Sequence, residues 1–262
     1  MNLMENIYKR QSVRKYKDEQ VDKNTLKEIE ALGNSNPRLY KDISMFIHVV
    51  EDGKKIHAIS KGIIGSYGKI EAPHYLVITS EASEGYLENV GFALEHLVLQ
   101  LTGMKIGTCW IGGFIKKELL SGIIEIPDTH VPVIVISFGY PKNEEEISKV
   151  HDAGKKRKEL SDFYFGELND EWTGIMNAVR RAPSAVNMQP WRFYKEGNFI
   201  HAFTVKRVLV KHLESMNRID VGIGLFHLRV ALENSKKDFE FHHLDNISKK
   251  GLNYITSLNI TN

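Results

Sequence analysis

Four stretches of the chain carry side chains that could do chemistry. The first is R-Q-S-V-R, Arg10 to Arg14. Two arginines four residues apart with a serine between them suit a phosphate, because guanidinium offers a planar fork of donors and serine a hydroxyl. Taken alone, the same residues suit a solvated basic turn. The second is G-T-C-W-I-G-G-F, Gly107 to Phe114. Three glycines in a short apolar loop would let backbone approach a flat ligand, and the absence of a following Gly-Lys-[Ser/Thr] excludes a P-loop. Cys109 within it lacks a neighbouring base or a second cysteine, which favours a small packed residue over a nucleophile. The third is the basic run Lys155–Lys158, whose default reading is a solvent-facing segment. The fourth is A-P-S-A-V-N-M-Q-P-W-R-F-Y, Ala182 to Tyr194. Pro183 stops the helix before it, Ser184, Asn187 and Gln189 form a polar turn, and Pro190 launches an extended apolar run.

The elements that must position these residues are legible in outline. Residues 2–9 read as a short helix, and Asp22 to Leu32 as a second with Leu26, Ile29 and Leu32 on one face. Met45–Val50 and Tyr75–Ser80 read as strands, Asp52-Gly53 as a turn, and Lys54–Gly68 has no clear pattern. Tyr86 to Met104 is a strong helix: Leu87, Val90, Leu94, Leu97, Val98 and Leu101 follow helical spacing. Gly91 in its middle costs about 0.5–1 kcal/mol relative to alanine, which close approach of another backbone would offset. Pro127–Tyr140 reads as a strand buried on both faces, followed by a solvated turn at P-K-N-E-E-E. Glu171–Arg181 reads as a helix capped by Asp170, Phe199–Thr204 as a strand, Val205–Met216 and Ile219–Ser235 as two helices, and Asp238–His242 as a strand. The stretch Lys249–Asn262 is polar and shows no pattern.

Bulk properties bound the class. The 262 residues suffice for one large core or two lobes, and 42% hydrophobic with 26% charged residues is ordinary for a globular protein. A net charge of +2 gives no reason to expect a nucleic-acid partner. The lone Cys109 excludes an intramolecular disulfide and an all-cysteine metal site. No window approaches the roughly 20 apolar residues that span a bilayer, and M-N-L-M-E-N-I-Y-K-R lacks an apolar signal core, so the expectation is a cytoplasmic protein without membrane partners.

An internal repeat organises the whole. N-V-G-F-A-L-E-H-L-V-L-Q-L (Asn89–Leu101) and D-V-G-I-G-L-F-H-L-R-V-A-L (Asp220–Leu232) share Val, Gly, Leu, His and Leu in one register. This implies duplication: two lobes, residues 1–165 and 166–262, each with a long helix bearing a glycine and a histidine. Pseudo-twofold packing of the two helices at Gly91 and Gly222 is the natural geometry. His96 and His227 lack a supporting carboxylate cluster, so packed histidines are expected and no metal. The copies are complementary. The first holds R-Q-S-V-R, the glycine loop and the basic run, and shows only L-G-N-S-N-P-R-L-Y where the second holds A-P-S-A-V-N-M-Q-P-W. One composite site is the economical reading.

Together R-x-S-x-R, G-T-C-W-I-G-G, V-P-V-x-V-x-x-x-G-Y-P and A-P-S-x-x-N-x-Q-P-W resemble the FMN-dependent nitroreductase superfamily. The late position of the last motif resembles its single-chain, duplicated branch, the TM nitroreductase-like proteins. The resemblance implies an α+β, nitroreductase-like fold of two related lobes forming an intrachain pseudo-dimer, and hence a monomer. It implies that Arg10, Gln11 and Ser12, with Lys155 and Arg157, hold the FMN phosphate end, that Arg14 lies near the pyrimidine edge, that Trp110, Ile111, Gly112 and Gly113 run along the ring, and that Pro183, Ser184, Ala185 and Asn187 contact the flavin from the second lobe. Gly68 and Lys69 match a further flavin-contacting segment poorly. NAD(P)H would be the electron donor and a small electrophile (a nitro compound or quinone) the acceptor, with no catalytic side chain. A flavin-binding or structural protein of the same fold without turnover is the alternative.

Overall fold

A computed structural model describes residues 2–60, 70–112, 116–151, 157–206 and 211–261. The chain divides into two compact units: residues 1–86 with 96–151, and 87–95 with 152–262.

The first unit is built on a four-stranded antiparallel sheet in the order β1 (Met45–Val50), β2 (His74–Glu81), β4 (His130–Gly139), β3 (Gly107–Ile111). β2 and most of β4 are buried along their length, as continuous apolar runs require. Around the sheet lie α1 (Leu3–Lys9), α2 (Lys23–Asn34), α3 (Gly53–Ser60), the short α5 (Lys117–Leu120) and α6 (Glu145–Ser148), and the outer parts of α4 (Tyr86–Gly103). Asp22 caps α2 by accepting the N–H groups of Asn24 and Thr25.

Local signals misled in three places. Gly53 opens α3 where a turn was expected, and α6 occupies part of the expected P-K-N-E-E-E turn. G-T-C-W-I is a strand: Gly107 to Ile111 pair with β4, Cys109 opposite Ser137. Sheet pairing overrides the glycine. Gly107 itself is closed off by Val13, whose Cγ2 would stand 2.6 Å from an added Cβ.

The second unit holds a five-stranded sheet in the order β5 (Tyr164–Phe165), β6 (Trp191–Glu196), β7 (Phe199–Val205), β9 (Leu252–Ile260), β8 (Phe239–His242). Only β5 and β6 run parallel. α7 (Asp170–Arg180) and α8 (Lys211–Asn234) complete it. Asn169, not Asp170, caps α7, accepting the Trp172 N–H. From Lys211 to Asn234 the two expected helices are one, Val205 belongs to β7, and 207–210 lie outside the described residues. The patternless polar stretch at 249–262 contains β9, which lies between β7 and β8. Two of its polar residues are buried with partners on the neighbouring strands: Ser257 Oγ meets His201 Nδ1 of β7 at 2.8 Å, and Thr256 donates to His242 O of β8 at 3.0 Å. Such cross-strand bonds leave no apolar alternation to read.

Within this unit, residues 87–95 of α4 cross α8 at the two repeat glycines. A Cβ on Gly91 would stand 2.1 Å from the Ile219 carbonyl oxygen, and one on Gly222 would stand 2.1 Å from that of Glu88. Each glycine meets the carbonyl three residues before the other, which is the reciprocity of an isologous contact. Arg218 donates to Glu88 at 2.5 Å, and the fully buried His227 and Glu95 meet at 2.9 Å. Phe92 packs edge-on against Phe226, centroids 5.2 Å apart. The glycines expected to admit a close backbone do so.

Candidate functional site

In the first unit, two motifs almost a hundred residues apart are joined. R-Q-S-V-R leaves α1 at Arg10, whose N–H closes the helix on Asn6 O. The chain then runs along the free side of β3, where Ser12 forms a parallel bridge to Thr108 and the Val13 N–H donates to Thr108 O at 2.9 Å. Tyr16 fastens the segment by donating to Val13 O at 2.7 Å and meeting Ser137 Oγ at 2.9 Å. Burial pushes the Tyr16 hydroxyl well above the usual phenol range, so it stays a donor.

This sets Ser12 and Val13 against Thr108, near the start of the strand that carries Cys109, Trp110 and Ile111. Arg10 is buried, Gln11 and Ser12 are half-buried and Arg14 is exposed, with its Nη1 donating to Ser12 O at 3.2 Å. Burial pushes the Cys109 thiol up, and the charges of Arg14 and Arg10 pull against that shift, which marks both guanidinium groups as electrostatic neighbours of β3. Cys109 is buried, with its thiol 3.6 Å from Trp110 O, as a packed residue. Trp110 and Gly112 are half-buried and Ile111 is buried; Gly113 falls outside the described residues, as do Gly68, Lys69 and Lys155.

In the second unit, A-P-S-A-V-N-M-Q-P-W forms a tight turn between α7 and β6. Pro183 is buried; Ser184, Ala185 and Asn187 are half-buried. A single 3₁₀ turn spans Ala185–Asn187, with Asn187 N–H donating to Ser184 O and Met188 N–H to Ala185 O, both at 3.0 Å. Val186, Asn187 and Gln189 all have positive φ, at 44°, 59° and 47°. Left-handed backbone is unusual outside glycine, and a β-branched residue there is an outlier. Ser184 Oγ accepts the Gln189 N–H at 2.9 Å, and the buried Gln189 amide donates to Asn187 O at 3.1 Å. Arg157 donates to the carbonyls of Ala182 (2.6 Å) and Arg181 (3.3 Å), where cations suit a helix C-terminus. Lys158 bonds Gln189 from both its N–H and its ammonium. Thr108, Tyr16, Lys158 and Asp220, which carry no ligand role in the motifs, position the others. Asp220 carried a signal only as one letter of the repeat.

The two histidines of the repeat have partners. His227 lies between Ala178 O and Glu95, each at 2.9 Å, and His96 Nδ1 meets Asn36 Oδ1 at 2.7 Å. Among the described residues, no helix is long and apolar enough to cross a membrane.

The fold and motifs find counterparts in known proteins. The chain belongs to the family described as "Putative TM nitroreductase", whose model matches residues 2–232. A crystal structure from Thermotoga maritima described as a "putative nitroreductase" aligns over 99% of this chain and 93% of its own, with 21% identity and a TM-score of 0.63. At that identity the likeness speaks for the fold. Relatives named "Putative NADH dehydrogenase/NAD(P)H nitroreductase" from Archaeoglobus fulgidus and Methanothermobacter thermautotrophicus are 23% identical over 155 residues and 24% over 151. They match 56% and 54% of this chain, and 89% and 78% of their own lengths. The expected α+β nitroreductase fold and the oxidoreductase class both hold.

Proposed function

We propose that the protein is an FMN-dependent NAD(P)H oxidoreductase that reduces nitro compounds, quinones or related small electrophiles in two half-reactions. One observation carries this reading: Ser12 and Val13 are bonded to Thr108, so the donors of R-Q-S-V-R share one strand edge with T-C-W-I-G. The donor set fits the cofactor. Arg10, Gln11 and Ser12 supply positive charge and hydrogen bonds suited to a phosphate ester, and Arg14 supplies a second, exposed cation on the same short segment. Pro183, Ser184, Ala185 and Asn187 are assigned to FMN in this reading on the A-P-S-x-x-N-x-Q-P-W motif alone.

The chemistry that bound FMN would supply is hydride transfer between NAD(P)H and the acceptor. The chain contributes binding, orientation and charge. Arg14 would favour the negative charge that accompanies reduction, and Trp110, Ile111 and Gly112 would run along the ring. No side chain is assigned a proton-transfer step. The same reading makes the protein a cytoplasmic monomer acting on small molecules.

The test is an absorption spectrum of the purified protein, before and after anaerobic NADH or NADPH. A yellow protein with one FMN per chain that bleaches rapidly is expected, and Arg14→Ala should lower the flavin potential. Two FMN per chain would overturn the single-cofactor reading. Flavin that stays oxidised would overturn turnover in favour of a binding protein.

A further inference from the structure

The turn after Pro183 adopts a conformation its residues do not favour. Three non-glycine residues in four sit in left-handed backbone, at about 1–3 kcal/mol each, and such strain persists only when surroundings over-determine it. Most of the bonds that hold the turn come from within it or from Arg157, Lys158 and Arg192 beside it. The helix α8 adds another. Asp220, wholly buried on α8, faces the Ala185 N–H with both carboxyl oxygens, at 3.0 and 3.2 Å. One helical turn further on, Gly224 lies under the buried Trp191 ring: an added Cβ would stand 3.2 Å from Trp191 Cδ2 and Cε3. Residues four apart share a helix face, so this face fastens both ends of the turn, at Ala185 and at Trp191.

The carboxyl is costly where it stands. Among the described residues no cation forms an ion pair with it, and burial holds it well above the usual carboxylate range against the pull of the Ala185 N–H. The aligned position in the other copy is Asn89, which is also buried.

We infer that Asp220 is a positioning residue: through the Ala185 amide it holds the left-handed turn 186–189 in the conformation that presents Ser184, Ala185 and Asn187 to the cofactor. This rests on the FMN reading above, and the experiment separates the two. FMN dissociation constants, Tm and amide exchange at Ala185 are measured for wild type, Asp220→Asn and Asp220→Leu. Asparagine keeps an acceptor of the same shape and leucine does not. The expected result is about tenfold or greater loss of FMN affinity and about tenfold faster Ala185 exchange in Asp220→Leu, with Asp220→Asn within about threefold of wild type and a cooperative thermal transition retained in both. Wild-type affinity and protection in Asp220→Leu would overturn the inference, as would equal losses in both variants. If wild type takes up no FMN, the FMN reading fails; Ala185 exchange then decides alone, faster exchange in Asp220→Leu supporting the anchor and unchanged exchange refuting it. If Asp220→Leu does not fold, wild type still gives an answer: the Ala185 amide should exchange at least about tenfold more slowly than that of exposed Val186, and equal rates would refute the anchor.

Discussion

Between α2 and β1 the chain turns through residues 35–44; between α7 and β6 it turns through 181–190. The two connections join the same kinds of element and are held differently. In the first, no residue has positive φ. Asn34, at the end of α2, accepts the Ile47 N–H and donates to the carbonyls of Ile47 (3.1 Å) and Glu30 (2.9 Å), stitching its helix to the strand that follows. In the second, three residues are left-handed and the Ala185 N–H is held from α8. Both turns are also held from other elements, Asn36 by His96 of α4 and the Ala185 N–H by Asp220 of α8. What sets the second apart is its left-handed backbone, and strain of that kind collects at functional sites. The repeat thus keeps its helix crossing and differs in its turns.

The copies can be set against each other by mutation. The largest contrast is expected at the paired histidines. His227→Ala removes the group that the buried Glu95 carboxylate faces and should cost about 3–5 kcal/mol, whereas His96→Ala, at a half-buried residue, should cost about 1 kcal/mol. Equal shifts of the denaturation midpoint would erase the asymmetry. Next come Gly91→Ala and Gly222→Ala, each of which drives a Cβ into a carbonyl oxygen. Each should cost about 3 kcal/mol, toward the upper end for overpacking, and the double variant less than the sum. If one is tolerated, the crossing is not reciprocal.

A smaller effect concerns pH. Asp220 has a folded pKa raised above its ordinary value of 3.8. Above that value the unfolded chain releases this proton first, so folded stability should fall as pH rises, by at most about 1.4 kcal/mol per unit from this group. Asp220→Asn removes the term, so Tm measured from pH 5 to 9 should decline less steeply than in wild type; parallel curves would place Asp220 in a normal environment. The smallest change is Val186→Gly. Relief of about 1–2 kcal/mol of left-handed strain opposes about 0.5–1 kcal/mol of glycine entropy. The variant should match or slightly exceed wild-type Tm, and a marked loss would mean that Val186 is not strained.

Much of this was legible in the residues. The amphipathic spacing of α4, the buried run of β4 and the repeat placed the helices and predicted the crossing at Gly91 and Gly222. R-Q-S-V-R and T-C-W-I-G could be named as ligand segments, but nothing in them says that Ser12 bridges Thr108. That contact is backbone pairing, which leaves no trace in residue type. β9 was hidden because its buried polar groups find cross-strand partners. Gly107 suggested an open loop and instead makes room for Val13. Asp220 was hidden for a further reason: one aspartate in an apolar helix looks like a surface residue until the amide it faces is seen.

The division of α4 between the two units sets a schedule for synthesis. Residues 87–95 emerge well before their partners on α8, 130 residues ahead for Glu88 and Arg218 and 132 for Glu95 and His227, and β9 follows later still. At about 5–20 residues per second, the apolar face around Phe92 and the carboxylate of Glu95 wait on the order of ten seconds for α8. During that interval the nascent chain offers an uncovered helix surface to chaperones and to neighbouring chains, and the second unit can close only after its last strand has left the ribosome.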